Sequence, residues 1–238
     1  MKIKKQPQEI WQEYESGVSY KQSIGNKGLY ETVKQNENFF IGNQWEGVNA
    51  PDLDKPVINI LKRVVSYFVS TLVSDDIGVN VEPFGGITDD DGKYIMGILS
   101  NQFDEIMETC GMTSKNRDAI RNAAVDGDAC LYFWFNPDVQ AADNVFGQIE
   151  CEEIDNTNVY FGNPQVWEVQ KQPYIIISLR RMVQAVIEEA ESNGMKDASG
   201  ITADDDPNGV NREQENGKCT VLIKFWKENG TVRYMKST

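Results

Sequence analysis

The chain is 238 residues long, 40% hydrophobic and 10% aromatic, enough for one large domain or two small ones with a substantial core. Its 37 Asp+Glu against 23 Lys+Arg give a net charge of -14, which argues against a basic surface built to grip phosphates. Histidine is absent, and with it the commonest general base, the commonest metal ligand and every Ser–His or Cys–His dyad, so an enzyme is not expected.

In chain order, apolar positions at Ile10, Trp11, Tyr14 and Val18, then Leu29, Tyr30 and Val33, predict two helical pieces joined by a break at Gly25 and Gly28. The aromatic run NFFIGNQWEG follows from Asn38. A longer helix is expected from Pro56 to Asp75, opened by Asp54 and Pro56. Val57, Leu61, Val64, Phe68 and Leu72 form its apolar stripe, with Ile60, Val65 and Val69 widening it. So many β-branched residues lower helix propensity, so burial is expected to hold this helix. A strand through Ile77–Phe84 closes at Pro83 and Gly85-Gly86.

Thr88-Asp89-Asp90-Asp91 then reads as a capped helix start, with a core face of Tyr94, Ile95, Ile98, Leu99, Phe103, Ile106 and Met107. Gly111 ends that helix, and Thr113 or Ser114 caps the next, Lys115–Val125, stopped by Gly127. Ala129–Phe135 is an apolar strand ended by the turn signature Asn136-Pro137-Asp138. Val145–Glu152, Asn158–Phe161 and Tyr174–Leu179 read as further strands, and Arg180–Ser192 as a helix ending at Asn193-Gly194. Residues 194–217 read as a mobile acidic loop. The last segment, 218–238, is a β-hairpin turning at Asn229-Gly230. The expected organisation is 1–55 as amino-terminal helices and aromatic loop, then 56–193 as an α+β core of helices against a mostly antiparallel sheet. The loop and the hairpin complete it. The chain stops two residues past a strand, which suggests part of a longer protein.

Candidate chemistry is thin. Cys110, Cys130, Cys151 and Cys219 show no C-x-x-C pair and read as reduced core thiols, so neither metal nor cofactor is expected. Asp204, Asp206, Asn208, Gly209 and Glu215 match the spacing of a calcium loop, but the preceding helix has already ended and an acidic loop matches by composition alone. No phosphate-binding glycine loop is present. Glu152, Glu153 and Asp155 are one of many chance carboxylate groupings among 37 acids. Phe39, Phe40, Trp45, Tyr132, Phe133 and Trp134 lack interleaved Lys or Arg, which favours packing or a protein interface over base stacking. The start MKIKKQPQEIW has no apolar core of a secretory signal. Val57–Val73 is broken by Lys62, Arg63, Ser66 and Ser70, so no membrane span is expected and a soluble intracellular chain is.

Phe40-Ile41-Gly42-Asn43-Gln44-Trp45, then Lys55-Pro56-Val57-Ile58-Asn59-Ile60, a helix, and Ile77-Gly78-Val79-Asn80-Val81-Glu82-Pro83 together resemble the amino-terminal part of tailed-bacteriophage portal proteins. Asp126–Tyr132 resembles the small-residue turn into the portal wing sheet, and Ile154–Pro164 its next strand and turn. The resemblance implies a dodecameric ring at the capsid vertex of the virion, assembled in the host cytoplasm. It implies double-stranded DNA passing through without sequence-specific binding. Terminase, scaffold or major capsid protein, and head–tail connector are the implied partners, and no membrane is. The matched region is the wing portion. Phe40, Trp45, Pro56, Asn59 and Phe68 are the interface and scaffold candidates it selects. The competing expectations are an acidic adaptor or inhibitor that binds a basic partner, and a calcium-dependent binding module at Asp204–Glu215.

Overall fold

Five consecutive residues of one strand, Cys219 to Ile223, are 2% exposed or less. A strand with both faces buried needs a layer on each side, and that requirement organises half of the molecule. The computed structural model describes residues 3–4, 8–73, 90–142, 145–205 and 217–238. It is α+β. Its elements are β1 (Ile3–Lys4), α1 (Gln8–Ser23), α2 (Leu29–Ile41), α3 (Ile60–Leu72), α4 (Asp90–Thr109), α5 (Met112–Asp126), β2 (Cys130–Ala142), β3 (Val145–Ile154), β4 (Val159–Phe161), β5 (Tyr174–Met182), α6 (Val183–Ser192), β6 (Lys218–Glu228) and β7 (Thr231–Ser237). They fall into two compact units, Met1–Lys34 with Asp155–Thr238, and Gln35–Ile154. The expected 56–193 core is therefore divided between them.

The first unit carries a five-stranded sheet in the order β1-β7-β6-β5-β4, antiparallel except for β1 beside β7. Alternation along the strands sends side chains to opposite faces. Tyr160, Ile176 and Leu222 face α1 and pack on Ile10, Tyr14 and Val18. Cys219 and Val221 face the other way and pack on Val186 and Ala190 of α6, with Ala198 and Ile201. Gly17 sits inside α1 where alanine would favour the helix. A Cβ there would come within 2.8 Å of Tyr160 Cδ1, so the close approach of helix to ring requires glycine. The hairpin between β6 and β7 turns at Asn229 (φ 50°) and Gly230 (φ 78°), the two left-handed positions that the Asn-Gly pair supplies.

Around this sheet the structure departs from the sequence expectation at several points. Helix α6 begins at Val183, because Arg180, Arg181 and Met182 extend β5 by pairing with Thr220, Cys219 and Lys218. Asp204 extends the edge of β6 beyond the end of β7: its amide donates to Lys218 O at 3.1 Å, and its carboxylate accepts from Thr220 N at 2.9 Å. The Arg180 guanidinium closes on the same carboxylate. Ile154–Pro164 does not continue the sheet of the preceding strands; β4 belongs to the five-stranded sheet and β2–β3 form their own.

The second unit contains the end of α2, helices α3 to α5 and the β2–β3 hairpin. α4 and α5 meet at Gly111 (φ 63°), which is itself the N-cap of α5, in place of Thr113 or Ser114. The residues expected to cap α4, Thr88 and Asp89, lie outside the described residues, as does the Ile77–Phe84 strand. Cys110, Met112 and Cys151 form a small core with Ile106, Met107 and Leu131 around it, and the Cys110 thiol donates to Ile149 O at 3.2 Å. Burial pushes the Cys130, Cys151 and Cys219 thiols up, away from reactive thiolate.

Asn136-Pro137-Asp138 is not a turn. β2 pairs with β3 in one register from Cys130↔Ile154 to Asn136↔Gln148, then resumes at Gln140↔Phe146 with two extra residues on β2. Pro137, which has no amide hydrogen to offer a ladder, lies in that bulge. Glu152 and Glu153 are successive residues of β3 and so point to opposite faces, which removes them as an acid/base pair. Among the described residues no helix is long and apolar enough to cross a membrane, and no group of three potential metal ligands occurs.

Candidate assembly surface

Four of the five candidate residues meet in one hydrogen-bonded clasp in the second unit. Trp45 Nε1 donates to Pro56 O at 3.2 Å, tying the aromatic loop to the segment before α3. Asn59 Nδ2 donates to Phe40 O at 2.7 Å, while its Oδ1 accepts from Lys62 N at 2.9 Å. A single amide side chain thereby ends α2 and starts α3. Gly42 (φ 91°) fits beneath it, because a Cβ would meet Asn59 Nδ2 and Val57 Cγ1 at 3.3 Å. The calcium pattern finds no comparable arrangement: the Asp204 carboxylate is engaged by Arg180 and Thr220, and Asp206–Glu215 lie outside the described residues.

Asn59, and not Asp54, is the N-cap of α3. Asn59→Ala is expected to cost about 1–2 kcal/mol, since it removes both a cap and the tie to Phe40. Asn59→Asp, which keeps the acceptor and loses the donor, is expected to recover part of that. Urea titration followed by circular dichroism checks the order; equal losses in the two variants would refute the double role.

Phe40 and α5 extend the clasp. The Arg121 guanidinium lies 4.7 Å from the Phe40 ring centroid and pairs with Glu37 at 2.5 Å, and Asn36 Nδ2 reaches Val125 O at 3.0 Å. An open groove alongside is lined by Phe40, Val65, Val69, Val73, Arg117 and Arg121. Nothing in the sequence pairs Arg121 with Phe40, because they are 81 positions apart; the fold brings a cation to an aromatic segment that has none of its own.

Phe68 is not part of the clasp. On α3 only Val69 is buried, and most of the stripe expected to be core faces outward: Ile60 is 62% exposed, Leu61 52%, Val64 58%, Phe68 52% and Leu72 49%, with Tyr67, outside the expected stripe, 76% exposed beside them. At about 100° per residue these six side chains cover an arc of roughly 140° on one side of the helix. α4 repeats the pattern in its first half, where Tyr94, Ile95, Ile98 and Leu99 are exposed, while Phe103, Ile106 and Met107 are half-buried toward the Cys110 core. The periodicity is as read; the burial is not. Apolar helix faces this wide are unusual on the surface of a monomer and mark places where another surface sits.

No protein-family model matches the chain, and a comparison with curated proteins finds no relative.

Proposed function

We propose that this chain is a structural subunit of the phage portal type, its wing portion. It acts by packing against copies of itself in a ring at the capsid vertex, through which double-stranded DNA is packaged and ejected. The observation that carries the reading is the clasp. The Phe40–Trp45 element and the Pro56–Asn59 step, which resemble portal proteins in their order and spacing, are joined by the Trp45–Pro56 and Asn59–Phe40 hydrogen bonds into one device that sets α3. The outward apolar faces of α3 and α4 support assembly as the mode of action. The net charge of -14 suits a passage in which DNA slides without adhering. An acidic adaptor that binds a basic partner shares that charge, but it has no need of two apolar helix faces.

Light scattering on the protein expressed at full gene length is expected to return a mass of many subunits, with rings in negative-stain images. A monomer or dimer across the concentration range in which such rings form would sink the reading.

A further inference from the structure

We propose that the outward face of α3 in one copy docks on the outward face of α4 in the next copy of this chain, a head-to-tail contact; this rests on the self-assembly reading above. Two observations select the occupant. The first is area. The six exposed side chains of α3, two of them aromatic, present on the order of 500 Å² of apolar surface, at the upper end of what a monomer leaves open. A standard-size interface buries about 800 Å² per partner, so this patch would form most of one.

The second is charge. α3 contains Lys62 and Arg63 and no acid, an exception in a chain of net charge -14. α4 carries Asp90, Asp91, Asp104, Glu105 and Glu108 against Lys93 alone. α3 against α3 would oppose like charges, and α4 against α4 would oppose more of them. α3 against α4 pairs an apolar and basic helix with an apolar and acidic one. The arrangement along each helix fits an antiparallel crossing. Arg63 lies near the start of α3, whereas on α4 the apolar residues Tyr94, Ile95, Ile98 and Leu99 come first and Glu105 follows on the same side. Antiparallel alignment then sets Arg63 toward Glu105 and Phe68 toward Ile98, with the helix dipoles opposed. Because the two patches differ, the contact is heterologous. It propagates from copy to copy, and it closes into a ring when the rotation allows.

The test uses the full chain with a photo-crosslinking amino acid at Phe68, followed by peptide mapping, beside sedimentation velocity on Arg63→Glu, Glu105→Arg and the double variant. Cross-links are expected on residues 94–105 of another copy. Each single charge reversal is expected to weaken association about tenfold, and the double variant to restore it. Circular dichroism confirms that each variant is folded. Intermolecular cross-links landing on α3 itself, or charge reversals that act additively with no rescue, overturn the docking inference while self-assembly stands. A parent chain that stays monomeric at every concentration overturns both.

Discussion

Replacing Tyr160 by alanine is expected to remove about 3–5 kcal/mol, a large share of the stability of any domain this size. Tyr160 lies on β4, the short edge strand of the five-stranded sheet, and is 2% exposed. Its ring stands edge-on to Tyr14 with centroids 4.9 Å apart, and α1 presses against it at Gly17. The Lys21 ammonium sits 4.2 Å above the same ring, on a residue only 7% exposed, and Tyr160 Oη shares a hydrogen bond with Tyr30 Oη at 3.1 Å. Alanine deletes the ring, leaves a cavity between α1 and the sheet, and strips a mostly buried cation of its aromatic partner. Tyr160→Phe is the control. It keeps the ring and loses only the hydroxyl bond, at about 1 kcal/mol. Urea unfolding with hydrogen exchange on β4 to β6 reads both. If phenylalanine proves as damaging as alanine, the ring packing is not what holds this unit together.

The helices and the last hairpin were legible because each has a local cause. Asn229-Gly230 can adopt two left-handed positions, and the apolar spacing around Tyr14 follows a helical period. Periodicity reports that a face is apolar and says nothing of what covers it. Ile60, Val64 and Phe68 carry the same signal as Ile10, Tyr14 and Val18, yet α1 meets a sheet and the α3 stripe meets solvent. Helix α3 starts at Ile60 and not at Pro56 for a related reason. Pro56 is a good first-turn residue, but its carbonyl, which a helix would spend on the amide four residues on, is taken by Trp45 Nε1. Val57 and Ile58 stay outside the helix, and Asn59 caps it instead.

The site was legible in its local part only. Phe40, Trp45, Pro56 and Asn59 lie within twenty residues of one another and stand, with Phe68, among the interface and scaffold candidates, but the hydrogen bonds that join the first four are visible only in the fold. Arg121, which pairs with Glu37 of α2 and lies over Phe40, comes from α5 far along the chain, where an isolated basic residue carries no signal of its own. Asn136-Pro137-Asp138, a turn signature that forms a bulge, has the same cause. A turn signature and a bulge both need a residue that gives up its ladder bond, and only the partner strand decides which one forms.

Glu189→Gln is expected to cost about 2 kcal/mol at neutral pH, and the cost is expected to vanish in acid. Glu189 on α6 accepts from Arg181 of β5 at 2.5 Å and from Lys236 of β7 at 2.6 Å, joining helix α6 to two strands that are not neighbours in the sheet. Its side chain is 23% exposed and that of Lys236 13%, so screening by water is incomplete. Burial by itself would raise the Glu189 carboxyl. The hydrogen bonds and charges of Lys236 and Arg181 outweigh it and hold the group below its ordinary value of 4.5. A carboxyl depressed in the folded state contributes stability that is fully present above its unfolded value and is lost as pH falls through the folded one. The gap between parent and variant is therefore expected to be constant from neutral pH down to the ordinary carboxylate range, then to close at lower pH. Denaturant unfolding at pH 7 and pH 3 measures it. A gap of equal size at both would mean that glutamine disturbs packing, and that the charge on Glu189 does not tie α6 to the sheet.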